Sequence, residues 1–92
     1  MIRLILHRGL QGLFEDDDAS GVSPEHLKKL RNILARLDAA RVVSDMRLPG
    51  LQLHPLYGDC ARYWAVTVHA GWRVSFRLSK NGASDVNYLE HV

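Results

Sequence analysis

Residues 53–76 read LHPLYGDCARYWAVTVHAGWRVSF, and the alternation inside this stretch decides the fold. Tyr63 to Val68 and Trp72 to Leu78 both alternate, with Trp64, Val66 and Val68 on one side of the first run and Trp72, Val74, Phe76 and Leu78 on one side of the second. The other side of the second run carries Arg73, Ser75, Arg77 and Ser79. Period-two alternation of this kind predicts a half-buried β-hairpin with a polar, cationic outer face.

The pattern also constrains the turn. A two-residue loop at Ala70-Gly71 would put Trp64, Val66 and Val68 on the face of Arg73 and split the core. A three-residue loop at His69-Ala70-Gly71 sets Val68 opposite Trp72, Val66 opposite Val74 and Trp64 opposite Phe76, with Gly71 at the left-handed position such loops favour. The second arrangement is the expected one.

Working outward, the 92 residues suit a single domain spanning 1–92, one that buries roughly 60–65% of the surface its unfolded chain exposes. The apolar run of the opening MIRLIL is interrupted by Arg3 and ends at His7-Arg8, too short for a signal sequence or a membrane span. With a single cysteine, Cys60, an internal disulfide framework is excluded, and a soluble protein of the reducing cytoplasm is expected. The formal charge of +2 understates the basic character, because four of the ten acids are clustered at Glu15, Asp16, Asp17 and Asp18. Outside that cluster, 12 basic residues stand against six acids. Such a balance admits a phosphate-binding face without demanding one.

Before the hairpin, Ile2 to Leu6 reads as a short strand and His7 to Phe14 as a short helix with Leu10, Leu13 and Phe14 on one side. The stretch EDDDASG, Glu15 to Gly21, reads as a solvated loop. Ser23-Pro24-Glu25 is a helix start, with a hydroxyl cap, proline at the first position and a carboxylate near the positive end of the dipole. Leu27, Leu30, Ile33, Leu34 and Leu37 then form an apolar stripe, leaving Lys28, Lys29, Arg31, Asn32, Arg36 and Asp38 for solvent. Helical character continues past Ala40 or resumes briefly near Ser44 to Met46, and breaks at Pro49-Gly50. Leu51 to Leu56 is extended, since the residue before Pro55, His54, is pushed towards β geometry. After the hairpin, Lys80-Asn81-Gly82 is expected as a three-residue turn leading into a last strand, Ala83 to His91. That register sets Val86 and Tyr88 opposite Phe76 and Val74, and brings Asn87, Leu89 and His91 to the face of Arg73.

The polar face carries the residue types needed to cut RNA without metal: a base for the 2′-hydroxyl proton, an acid for the leaving 5′-oxygen and a cation for the charge that builds on phosphate. His54 and His91 titrate near neutral pH, Glu90 can tune one of them, and Arg73 supplies a permanent bidentate charge. Tyr57 and Tyr88 can stack on a base or donate a hydrogen bond, although Tyr88 also fits the core. Each residue has an ordinary alternative as well: a surface histidine, a solvated arginine or a frayed terminus. His69 is explained by its turn. The histidines at 7, 26, 54, 69 and 91 have no metal-ligand spacing, Cys60 stands alone and no glycine-rich phosphate loop is present, so neither metal nor cofactor is expected.

Several motifs together resemble one family. LxLHPLxGD (51–59), YWxVxV (63–68), GWRVSFRL (71–78), the NG turn and NYxE (87–90) are similar to HigB-type toxins of bacterial toxin-antitoxin systems, within the RelE/ParE superfamily. GLFE (12–15), LDAAR (37–41) and DMRLPG (45–50) extend the resemblance over nearly the whole chain. It implies an α+β fold, with an N-terminal strand and two helices packed on an antiparallel sheet. It further implies a ribosome-dependent endoribonuclease that cuts messenger RNA, with a HigA-type helix-turn-helix antitoxin as partner. By position, His54 matches the family histidine of LHPL and Arg73 the arginine of the WR strand. Glu90 and His91 then complete the catalytic set, and Tyr57, Arg62 and Arg77 are the candidate RNA contacts.

The chain departs from the family pattern at three places. Tyr57 stands where many members have lysine, Cys60 stands where a basic residue is usual, and Glu90-His91-Val92 replaces Asp-Tyr-His. Three other functions stay open: a catalytically weak protein that binds antitoxin, a ParE-like inhibitor of DNA gyrase, and a HigB-like fold reused as a structural or regulatory module.

Overall fold

The computed structural model describes residues 1–56 and 62–90. Two helices, α1 (Arg8–Asp16) and α2 (Leu27–Ala39), precede four strands: β1 (His54–Pro55), β2 (Trp64–His69), β3 (Trp72–Ser79) and β4 (Gly82–Glu90). The strands form one antiparallel sheet in sequence order, with the helices packed on one face, a small α+β architecture.

The stripe read on α2 is the one that is buried. Leu30, Ile33, Leu34 and Leu37 join Leu10 and Leu13 of α1 against Val66, Val68, Val74, Phe76, Ala83, Val86 and Tyr88 of the sheet. The helix does not begin with a Ser23 hydroxyl cap, however. A 3-10 turn, Pro24–His26, leads into α2, and the Ser23 side chain makes no capping bond. At α1 the cap is His7, whose Nδ1 accepts from the Leu10 backbone N–H at 3.1 Å. A second 3-10 turn, Val43–Met46, occupies the place where helical character was expected to resume.

The chain's first residues lie alongside β4 in parallel, bridging at Ile2 with Ala83 and at Ile5 with Val86. Four backbone hydrogen bonds of 2.6–3.1 Å hold them there. This is the expected first strand, reduced to two bridges because β4 is irregular between Ala83 and Val86.

Both hairpins close differently from expectation, and in the same way. His69 pairs with Trp72 across a two-residue turn in which Ala70, not Gly71, has positive φ (49°). The register then shifts between Thr67 and His69, so Val66 still faces Val74 and Trp64 faces Phe76. In the second hairpin Ser79 pairs with Gly82, so Lys80-Asn81 alone forms the turn, and a shift after Arg77 restores Val74 opposite Tyr88. A β-bulge thus supplies the extra residue that was expected in each loop. In β4 that bulge contains Asp85, held at φ 53°.

Candidate active site

The sheet face away from the helices is organised in rows, because directly opposed residues of neighbouring strands share a face. One row runs His54, Ala65, Ser75, Asn87; the next runs Thr67, Arg73, Leu89. His54 therefore lies two strand spacings, about 10 Å, from Ser75, with Arg73 one row further along β3. Ala65 and Ser75 are buried, at 0% and 5% exposure. These two short side chains mark a strip of the face, the valley, that the longer flanking side chains cover.

His54 has a defined orientation. Its Nδ1 lies 2.8 Å from the Gln52 carbonyl oxygen, which can only accept, so a neutral imidazole carries its proton on Nδ1 and keeps Nε2 as the acceptor. The carbonyl is placed by an unusual backbone: Gly50 (φ 83°) and Gln52 (φ 51°) are both left-handed, and the Gln52 side chain accepts from Thr67 Oγ1 at 3.3 Å. Backbone bonds from Thr67 N–H to the Leu51 carbonyl (2.6 Å) and from Leu56 N–H to the Tyr63 carbonyl (2.9 Å) fasten the segment to β2. Lys29 ties it to α2 by donating to the Gly50 carbonyl at 3.0 Å.

Arg73, half-buried between Thr67 and Leu89, forms no salt bridge among the described residues. Arg77, two rows along, lies 3.6 Å from an Asp85 carboxylate oxygen. That same oxygen accepts from the Tyr63 hydroxyl at 2.7 Å, and the Arg77 guanidinium stands 5.8 Å from the Tyr63 ring centre. Arg62, exposed at the approach to β2, lines the same pocket as Arg77.

Register places two further candidates on the face that the expected pairing of β3 with β4 gives them. Glu90 pairs with Trp72, one residue beyond the Arg73–Leu89 pair, so strand alternation puts it on the opposite face from Arg73. Tyr88 is 5% exposed on the helix side of the sheet, its hydroxyl 2.6 Å from His26 Nδ1, and is closed off from any stacking base. Tyr57 and His91, both expected in the site, and Cys60 lie outside the described residues.

With the geometry in place, the comparison with known proteins is decisive for the family. Residues 4–91 match the family model described as the RelE-like toxin of the type II toxin-antitoxin system HigB. The chain belongs to the HigB-like toxin family. It is 34% identical over 91 residues, covering 99% of each chain, to a Proteus vulgaris protein named Endoribonuclease HigB. As a HigB-like toxin of a type II system, it implies a cognate antitoxin as partner.

This face of the HigB-like toxin contains residues that the sequence did not single out. Gln52 orients the histidine through a main-chain oxygen, which leaves no side-chain signature beyond the Pro49-Gly50 break before it. Asp85 and Tyr63 are separated by 22 positions and meet only because β2 and β4 flank β3. Their bond has an electrostatic consequence: Asp85 holds the Tyr63 phenol above its ordinary pKa, chiefly by accepting its hydrogen bond and less by burial and charge. Burial raises Tyr88 in the same direction, with a smaller contribution from Glu90. Among the described residues no cluster of histidine, cysteine and carboxylate side chains is arranged to hold a metal ion, and no helix is long and apolar enough to cross a membrane.

Proposed function

We propose that this chain is a toxin that cuts messenger RNA on the translating ribosome in the cytoplasm, and that a HigA-type helix-turn-helix antitoxin holds it inactive. The observation that carries the reading is the pairing of functions across one sheet face: a histidine with its Nε2 left as acceptor by the Gln52 carbonyl, and Arg73 one row away with no salt bridge among the described residues. The kinship with Endoribonuclease HigB of Proteus vulgaris supports the same chemistry.

In this reading His54 Nε2 takes the proton of the 2′-hydroxyl, whose oxygen attacks the adjacent phosphorus. The bond from phosphorus to the 5′-oxygen breaks, leaving a 2′,3′-cyclic phosphate and a protonated 5′-hydroxyl. Arg73 stabilises the charge that builds on the non-bridging oxygens, where a planar guanidinium can engage two at once. His91 is given the proton for the leaving oxygen on its place in the sequence. Glu90, on the opposite face from Arg73, is assigned to the charge around His91 and not to the reacting phosphate. No metal or cofactor takes part.

Purified protein added to a translation reaction tests this reading. The account expects cuts in a translated message, none in the same RNA without ribosomes, and protection by the antitoxin. Intact message together with inhibited DNA supercoiling would move the function to gyrase.

A further inference from the structure

Beyond the valley, where the tip of the β3–β4 hairpin approaches the start of β2, an open pocket of about 320 Å³ is lined by Arg62, Arg77, Leu78, Ser79 and Ser84. Among the described residues its polar lining is two arginines and two serines, with no aspartate or glutamate. That donor set matches the oxygens of a phosphodiester: guanidinium forks engage paired oxygens, and hydroxyls fill the remaining acceptor positions.

The pocket belongs to the same face as the proposed reaction site. Arg77 alternates with Ser75 and Arg73 along β3 and stands opposite Ser84, while Ser79 stands opposite Gly82. Four residues of strand separate Arg77 from Arg73, about 13 Å, too far for one phosphate to bridge them. Asp85 does not line the pocket. Its carboxylate lies 3.6 Å from Arg77 and accepts from the Tyr63 hydroxyl, and the Tyr63 ring centre is 5.8 Å from the guanidinium, so two neighbours restrain the Arg77 side chain beside the pocket.

We propose that Arg62, Arg77, Ser79 and Ser84 form a second phosphate subsite, which holds a backbone phosphodiester of the substrate RNA away from the bond that is cut. The inference rests on the RNA-cleaving reading and adds to it the track along which the strand lies. Continuity with the Arg73 face selects an RNA strand over an acidic peptide as the occupant. Contacts made equally before and during the reaction strengthen substrate binding without speeding the chemical step, so the subsite acts on KM.

The test is binding of a short single-stranded RNA to the full-length protein in a His54→Ala background, followed over a range of salt concentrations. Arg62→Ala and Arg77→Ala are each expected to weaken binding by roughly 1.5- to fivefold, the range for exposed charged contacts, and to lower the salt slope by about 0.7, the loss of one phosphate contact on a single strand. Ser84→Ala should weaken binding less and leave the slope in place. A methylphosphonate at one RNA position should reproduce the loss in the parent and add nothing in Arg77→Ala. Because Arg77 also partners Asp85, the exposed Arg62 keeps the test decisive should Arg77→Ala fold poorly. Unchanged affinity and slope in both arginine variants, with the parent chain still cutting translated message, overturns the subsite and leaves the nuclease reading standing. Lost RNA affinity in the variants of a parent that cuts nothing supports the subsite and removes the nuclease reading. Loss of antitoxin binding with RNA affinity intact overturns it in favour of a peptide site.

Discussion

His54 and Ala65 face each other across β1 and β2, and Ala65 faces Ser75 across β2 and β3. A methyl group therefore lies between the histidine and the strand that carries Arg73. The packing of the valley depends on that residue staying small. Ala65→Leu should destabilise the fold by about 1–3 kcal/mol, the usual cost of overpacking a buried position. It should also slow cleavage by pushing His54 away from the strand that carries Arg73. Ala65→Gly should cost only about 0.5–1 kcal/mol and retain cleavage. Urea midpoints paired with cleavage rates check both, and a fully active Ala65→Leu would show that the spacing of His54 from the Arg73 strand does not govern cleavage.

The Tyr63–Asp85 bond predicts a pH dependence with a definite sign. The folded state holds the Tyr63 phenol above its ordinary pKa, so its contribution is complete below about pH 10, the unfolded value. It is lost as pH rises through the folded pKa. Tyr63→Phe should flatten the alkaline fall in urea midpoint, leaving the part due to Tyr88, which burial raises in the same direction. An equally steep fall in Tyr63→Phe would mean that the bond contributes nothing to stability.

His26 and Tyr88 are buried at 4% and 5% exposure and bonded to each other at 2.6 Å, on the side of the sheet away from the valley. Tyr88→Phe leaves the His26 ring nitrogen without that partner and should cost about 1–3 kcal/mol. Cleavage per folded molecule should be unchanged. A variant of full stability but low activity would instead tie Tyr88 to the chemistry.

Gly9 of α1 and Gly21 of the following loop meet backbone to backbone, so a Cβ on Gly9 would collide with the Gly21 carbonyl. Gly9→Ala is expected to lower the thermal midpoint, with a cost of about 1–3 kcal/mol. A wild-type midpoint would mean that the loop moves aside freely.

Much of this architecture was legible in the residues. The stripe on α2, the Val66–Val74 and Val74–Tyr88 pairs, and the separation of Arg73, Ser75 and Arg77 from the core all follow from periodicity. The alternating pattern fixes only the sum of loop and bulge residues between two paired positions. It cannot say whether an extra residue sits in the turn or in the strand, so both bulges were read as longer loops. Left-handed backbone at Gln52 and Asp85 was likewise hidden, because neither is the glycine that would announce it. The burial of His26 depends on Tyr88, 62 positions away, and local pattern carries no sign of it.

The central claim is that His54 and Arg73 act together on RNA across one sheet face. It is tested most directly by cleavage of a translated message with His54→Ala and Arg73→Ala, each confirmed to keep the parent's thermal midpoint. His54→Ala should slow cutting by about 10²–10⁴-fold, the range for a lost general base, and Arg73→Ala by about 10²–10³-fold, the range for a lost donor to transition-state charge. Parent-level cutting by both folded variants would contradict it.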